Sequence, residues 1–395
     1  MLPLAWGNVA ARRWWGRGDV LFVRGRQGTT FAEGGERTHA MDEVRVGVIG
    51  CGAGTFHLEG YAEDPRTKTV ALAGLDTARC RQIAKKFEIP EIYGDYRDLL
   101  EKAEVDAVSV VVPNHLHLPI ALAAFEAGKH VLVEKPLARN AAEGERMVAA
   151  AKAAGKILAI AFQRRHRSDM VLLRQHIEEG GLGEIYYAKA YWMRRSGIPG
   201  LGTWFTNKEL AGGGPLIDLG VHVLDMALWL MGNPKATTVS AATYAKIGPR
   251  GRGHWASSRF QEAGENAYEV EDLATAFIRF DTGATMQLET CWAAYSGVTD
   301  EFGVALMGDK GGAEIHIKDY ANVGTLRLFS DVAGVPVDST PRLRPTHGHA
   351  GIIKHFVDGI IHGTPVSPSG EEGVDRARLI DAIYHSAELG KEVTL

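Results

Sequence analysis

Val44-Arg-Val-Gly-Val-Ile-Gly50-Cys51-Gly52-Ala53-Gly54 decides the fold. A short run rich in valine and isoleucine ends at three closely spaced glycines, and the segment from Thr55 to Ala62 then reads as a helix. Strand, glycine turn and helix in that order open a dinucleotide-binding βαβ unit. Gly50 permits the tight turn, and Gly52 lets the backbone approach a pyrophosphate at the helix N-terminus. The third glycine of G-x-G-x-x-G would fall on Thr55, where this sequence offers Gly54 instead, so the motif alone is weak.

Its surroundings strengthen it. Thr69 to Leu75 reads as a second strand and ends at Asp76, twenty-six residues after Gly50. A carboxylate there can accept both adenosine ribose hydroxyls and repels a 2′-phosphate, which favours NAD over NADP, although Arg79 and Arg81 soften that preference. Asp76 also fits the N-cap of a helix running to Phe87, and the two roles are compatible. Further strands at 106–112, 130–133 and 156–161 alternate with helices at 118–127 and 141–154. This is the pattern of a parallel, doubly wound α/β sheet, whose ligands sit beyond the carboxyl ends of the strands. Two of those ends carry Pro113-Asn114-His115-Leu116-His117 and Glu134-Lys135-Pro136, where the prolines stop the strands.

Further on, Gly213-Gly-Pro-Leu-Ile-Asp218-Leu-Gly-Val-His222-Val-Leu-Asp225 sets three polar side chains into an apolar helix continuing to Met231. Asp218, His222 and Asp225 fall at i, i+4 and i+7 and are expected on one face. A buried carboxylate and imidazole need partners, either protein groups or a cofactor and substrate. Asp225, two turns from Asp218, is expected to anchor the helix. Gly220 implies close approach of a nicotinamide or of another strand.

The chain has 395 residues, 45% hydrophobic and 23% charged, enough for two or three globular domains. A formal charge of −4 provides no field for nucleic acid or an anionic membrane, and no apolar window approaches a membrane span. Cys51, Cys80 and Cys291 are widely spaced without a Cys-x-x-Cys pair, so neither a disulfide nor a cysteine zinc site is expected, and a reducing cytoplasm fits. No metal is expected: His222, His117 and carboxylates lack ligand spacing. Residues 1–40 hold six Arg, no Lys, three Trp and seven Gly without a regular period, and read as a poorly ordered extension with Met41 as a possible natural start. Arg12-Arg13 lacks the apolar core of an export signal.

In this order, Gly50-Cys-Gly-Ala-Gly, Asp76, Pro113-Asn114-x-x-His117, Lys129-His-Val-Leu-Val-Glu-Lys-Pro136 and Gly213-Gly-Pro-Leu-Ile-Asp218-x-x-x-His222 resemble the Gfo/Idh/MocA oxidoreductases from about Val44 onward. The resemblance implies a Rossmann domain at 41–163 and a C-terminal α/β domain at 164–395, with an open, mostly antiparallel sheet that helps form homodimers or homotetramers. It implies NAD(P)-dependent hydride transfer to or from a secondary hydroxyl of a sugar, inositol or related polyol, with Lys135, Asp218 and His222 as the catalytic group and a cis Lys135-Pro136 bond. Imidazole is well matched to take an alcohol proton near neutral pH, and Lys135 can stabilise the oxygen's charge, although their roles can be exchanged. NAD is expected to meet Gly50, Gly52, Gly54, Thr55, Phe56, Asp76, Pro113, Asn114, Glu134, Lys135, Gln163 and Arg164. His117 either lines the nicotinamide ribose or caps a helix. Arg194, Arg195 and Trp204 are expected to meet the substrate beside Lys135, Asp218 and His222, or to form a surface arm. The family also contains NAD-using glycosidases that oxidise transiently and sugar-sensing proteins without turnover.

Overall fold

The computed structural model describes residues 43–254, 268–346 and 348–395. The expected extension and most of the polar insertion at 248–264 lie outside them.

Strands β1 (Val44–Ile49), β2 (Thr67–Ala73), β3 (Glu91–Tyr93), β4 (Ala107–Val110), β5 (His130–Val133) and β6 (Leu158–Ile160) form one parallel sheet in the order β3-β2-β1-β4-β5-β6. Helices α1 (Gly54–Glu63), α2 (Thr77–Lys86), α3 (Tyr96–Lys102), α4 (His117–Glu126) and α5 (Ala141–Ala154) alternate with them. Val46, Val48, Val108 and Leu132 are fully buried, as strands covered on both faces require. The order reverses between β1 and β4, so the crevice at their carboxyl ends is the expected ligand site.

The second sheet has nine strands in the order β14-β13-β12-β11-β7-β10-β9-β8-β15. In chain order, α6 (Ser168–Glu178), β7 (Ile185–Arg194), a short α7 (Lys208–Ala211), α8 (Val221–Leu230), β8 (Ala236–Tyr244), β9 (Leu273–Phe280), β10 (Thr285–Cys291), β11 (Asp300–Gly308), β12 (Gly312–Lys318), β13 (Leu326–Val332), β14 (Val335–Ser339), α9 (Gly348–His362), α10 (Gly370–Leu389) and β15 (Val393–Thr394) follow. Its pairings are antiparallel except that between β7 and β10. Alternation along the strands buries Ala188, Ala190, Trp192, Ile278, Leu288 and Val304 on one face, where α8 packs on β7 and β11. On the other face Lys189, Phe277 and Met307 are exposed. Helix α9 turns back onto α1, tying the end of the chain to the nucleotide half.

The stretch Lys208–Leu230 has the length and apolarity to cross a membrane, but 89% of its most apolar window is buried inside the protein, as suits a core helix.

The cysteine expectation is corrected. Cys51, in the glycine turn after β1, and Cys80, in α2, form a disulfide with Cα atoms 6.0 Å apart. Parallel pairing of β1 with β2 places their carboxyl ends side by side, so the turn after one meets the helix after the other. Sequence spacing carries no sign of this, and the cysteines no longer speak for a reducing compartment.

Candidate active site

The glycine turn has the strain and the space its sequence suggests. Gly50 has φ +117°, and a Cβ there would stand 1.9 Å from the Val111 carbonyl, so no other residue fits. A Cβ on Gly52 would meet nothing within 4 Å, because Gly52 faces a cavity of about 750 Å³. Asp76, Pro113, Asn114, Glu134, Lys135, Trp204, Asp218 and Trp292 also line this cavity, which joins the carboxyl ends of the parallel sheet to the segment Gly213–Asp218 that leads into α8. Asp76 caps α2, accepting the Arg79 N–H at 3.0 Å, and still faces the cavity.

Lys135 and Asp218 come together as expected. The Lys135 ammonium donates to Asp218 Oδ1 at 2.9 Å and to the Asp218 carbonyl at 3.2 Å. The Trp292 indole N–H donates to Asp218 Oδ2 at 2.9 Å, so both carboxylate oxygens are held. Burial pushes the Asp218 carboxyl up, but the charges of Lys135 and Arg194 and these hydrogen bonds outweigh it and hold the pKa below the ordinary value. His222 is buried, its ring 5.6 Å from Trp192. Burial first, and then the charges of Lys135 and Arg164, hold the imidazole well below its ordinary pKa, so it is neutral, and the same effects oppose its protonation. Its Nδ1 is buried without a partner.

Trp292 was not legible as a functional residue, since an apolar strand end reads as core. The predicted consequence is specific. Trp292→Phe keeps the ring but removes a hydrogen bond to a charged group worth about 1.5–3 kcal/mol. Loss of a donor to the carboxylate raises the Asp218 pKa, so the acid limb of kcat against pH is expected to move to higher pH. At neutral pH, kcat should fall by about tenfold, given the energy of that hydrogen bond. A pH–rate profile checks this; an unmoved acid limb would remove Trp292 from the site.

The helix is less regular than its periodicity suggests. Leu216–Gly220 forms a π-helical turn before α8 begins, a local irregularity typical of functional positions. Glu271 stabilises the entry, accepting the Gly214 N–H at 3.0 Å, the Leu216 N–H at 3.1 Å and the Tyr384 hydroxyl at 2.9 Å. The three polar residues consequently have different partners. Asp225 is bound by Arg165 and Arg376, the anchoring role expected for it. The close approach implied by Gly220 comes from a strand: a Cβ there would stand 2.9 Å from Cγ2 of Thr290 in β10.

Several of the expected site residues also have protein partners, and some lie off the cavity wall. His117 is fully buried, with the Pro136 and Val112 carbonyls each 2.9 Å from one of its ring nitrogens; it braces the two strand-end loops and does not line the cavity. Asn114 lines the cavity, but its amide donates to the Ala211 carbonyl at 2.7 Å, joining that strand end to α7. Gly54 packs against Val48, and the Thr55 hydroxyl donates back to the Gly52 carbonyl at 3.4 Å. Phe56 points outward, 53% exposed and stacked on His349. Arg194 is committed to Asp300 at 2.8 Å, and Arg195 is exposed, donating to the Ala294 carbonyl at 3.1 Å and lying over Tyr295. Helix starts and strand ends look alike in sequence whether they face a ligand or a neighbour.

Gln163 and Arg164 lie outside the main cavity wall, yet carry buried atoms without partners, Gln163 Oε1 and Arg164 Nε. The guanidinium lies over the rings of Trp192 and Phe302 at 4.7 and 4.2 Å. Unpaired buried polar atoms cost about 1–3 kcal/mol each. His222 Nδ1 and Thr290 Oγ1 are likewise buried without a protein partner, and water or a polar ligand can satisfy such atoms. The open glycine turn, Asp76 and these unpaired groups fit a dinucleotide with its nicotinamide end toward Lys135 and Asp218.

Residues 44–162 match the model of an oxidoreductase family with an NAD-binding Rossmann fold, and residues 174–395 match that family's C-terminal α/β domain. The chain is 33% identical over 356 residues to D-glucoside 3-dehydrogenase of Escherichia coli (strain K12), covering 89% of this chain and 97% of that protein. It is 30% identical over 380 residues to levoglucosan dehydrogenase of Pseudarthrobacter phenanthrenivorans (strain DSM 18606 / JCM 16027 / LMG 23796 / Sphe3), covering 88% and 97%. A solved structure of levoglucosan dehydrogenase in complex with NADH superposes with a TM-score of 0.79 at 28% identity, over 89% of this chain and 99% of that one. The chain belongs to the Gfo/Idh/MocA family of oxidoreductases.

Proposed function

We propose that this protein is an NAD-dependent dehydrogenase that oxidises a secondary ring hydroxyl of a pyranose sugar or glycoside. The observation that carries the reading is the Lys135–Asp218 pair, fixed by Trp292 at the wall of the cavity into which the glycine turn opens. The similarity to a glucoside and a levoglucosan dehydrogenase supports the substrate class.

Gly52 leaves room for the pyrophosphate, and Asp76 accepts the adenosine ribose hydroxyls. When bound, NAD supplies the hydride acceptor. Lys135 donates a hydrogen bond to the reacting hydroxyl oxygen and stabilises the negative charge that develops as hydride leaves carbon. His222, neutral before the step, receives the hydroxyl proton as hydride leaves carbon. Asp218 orients the Lys135 ammonium, and Trp204 offers a flat apolar face to a sugar ring. A second copy of the chain covers the open face of the large sheet, where Phe277 and Met307 stand 37% and 43% exposed.

The test is a panel of pyranoses, glycosides, anhydrosugars and inositols, followed by absorbance of reduced cofactor with NAD and NADP in parallel. Net NADH formation from a pyranose supports the reading; release of an aglycone without net NADH would instead indicate a glycosidase that oxidises transiently. Asp76 gives a second prediction. Hydrogen bonds to a charged group are worth about 1.5–3 kcal/mol, so Asp76→Ser is expected to raise KM for NAD by about 10- to 100-fold and to narrow discrimination against NADP. An unchanged KM, measured with both cofactors, would contradict this.

A further inference from the structure

Around Glu134, three ligand-type side chains from distant parts of the chain converge. His57 Nε2 lies 3.0 Å from Glu134 Oε1, His349 Nε2 lies 3.6 Å from the same oxygen, and all three ligand atoms fall within 4.8 Å of one another. Donors bound at about 2.0–2.1 Å to a tetrahedral zinc ion stand about 3.3–3.4 Å apart. We propose that His57, Glu134 and His349 form a binding site for a divalent ion of the zinc type, with a fourth coordination position open to a small molecule.

Rigid elements deliver each ligand. His57 is in the first turns of α1, Glu134 directly follows β5, and His349 begins α9. The approach of α1 to α9 depends on Gly60, where a Cβ would stand 2.5 Å from Ile353 and 3.3 Å from the Ala350 backbone. The rings are also oriented from behind. His57 Nδ1 lies 3.0 Å from the Ser109 hydroxyl, itself 2.8 Å from that of Tyr61, so a proton carried on Nδ1 leaves the Nε2 lone pair free for an ion. Phe56 stacks on the His349 ring at 5.3 Å with the planes 15° apart.

His57 is fully buried, whereas His349 borders a second cleft of about 300 Å³ also lined by Glu59 and Glu63. Of the three ligands His349 alone borders that cleft, so an ion would enter past it; Glu63 adds an acidic group to the wall, while Glu59 is paired with Lys86 at 3.2 Å. Two imidazoles and one carboxylate form a mixed nitrogen and oxygen set suited to zinc and cobalt, and poor for magnesium or calcium. The ion would join α1 and β5 of the nucleotide half to the C-terminal helix α9. Glu134 Oε2 accepts the Lys135 N–H at 3.1 Å, so the carboxylate that binds the ion also touches the backbone of the catalytic lysine.

The sequence gives no hint of this cluster, because its members are 77 and 215 residues apart, counted from residues 57, 134 and 349. The test uses the full chain, stripped with a chelator and titrated with Zn²⁺ against a chromophoric competitor, and separately with Co²⁺ by visible spectroscopy. One equivalent per chain is expected, with the intense d–d absorption of four-coordinate cobalt and a rise in melting temperature on Zn²⁺ addition. His349→Ala, at a partly exposed position, is expected to melt like the metal-free parent and to bind Zn²⁺ at least about tenfold more weakly. His349→Cys, which restores a zinc ligand, should recover binding. Sub-stoichiometric uptake, a six-coordinate cobalt spectrum, or equal affinity in His349→Ala would overturn the proposal and leave the three side chains as a hydrogen-bonded network.

Discussion

Lys135→Ala is expected to lower kcat by about 10²–10⁴-fold, the range lost when a group that handles charge or protons in a transition state is removed. Among the described residues the other hydrogen bond to the Asp218 carboxylate comes from the neutral Trp292 N–H, and Arg194 acts on it by charge from a position bound to Asp300. Loss of the ammonium also shifts the titrations. Lys135 holds the Asp218 carboxyl down, so Asp218 should titrate at higher pH in the variant; Lys135 also holds His222 down, so the imidazole should become easier to protonate. Both changes move the acid limb of kcat upward, and the residual rate should fall further as pH drops below neutral. Saturating NAD and a substrate identified from the sugar panel, with kcat followed across pH, provide the measurement. Hydride transfer near the native rate would exclude Lys135 from the chemistry.

Asp225→Ala is expected to be the most destabilising of the substitutions considered. Its carboxylate receives Arg165 Nε at 2.8 Å and Arg376 Nε at 3.0 Å, and all three side chains are 2–3% exposed. Removing it leaves two buried guanidinium groups side by side, with Glu372 still bound to Arg165 at 2.6 Å. Breaking a buried ion pair on one side costs about 3–5 kcal/mol. The thermal midpoint should fall by roughly 5–15 °C. Asp225→Asn, which keeps acceptor and shape, should lose less. The folded fraction should retain hydride transfer, since Asp225 does not touch Lys135 or the Asp218 carboxylate. Calorimetry and kinetics on the same preparation separate the cases: a collapse in kcat with an unchanged midpoint would make Asp225 part of the chemistry.

Most of the nucleotide half was readable because its signals are local. Gly50 is required by a positive φ, Asp76 by its position between β2 and α2, and the buried strands by short runs dense in valine, isoleucine, leucine and alanine. The shorter β3 and α3, and strands β8 and β12 to β14, were not read: Glu91-Ile-Tyr93 is too short for a period, and β14, Val335–Ser339, is largely exposed and so lacks apolar alternation. Phe56 shows the same limit within the site. A helix-start residue next to a glycine turn is placed near the cofactor by sequence, and only the packing of α9 against α1 shows that it faces His349 instead.

By itself the sequence determined the parallel nucleotide-binding sheet, since glycine turns, strand ends and alternation act over a few neighbouring residues, and its resemblance to the Gfo/Idh/MocA oxidoreductases nominated Lys135, Asp218 and His222. Tertiary structure alone decided what those residues touch. It closed the Cys51–Cys80 bond, placed Trp292 on Asp218, turned His117 and Arg194 to structural partners, and gathered His57, Glu134 and His349 around one point. Each of these depends on contacts between strands and helices far apart in the chain, and the identity of a residue does not encode which distant surface will cover it.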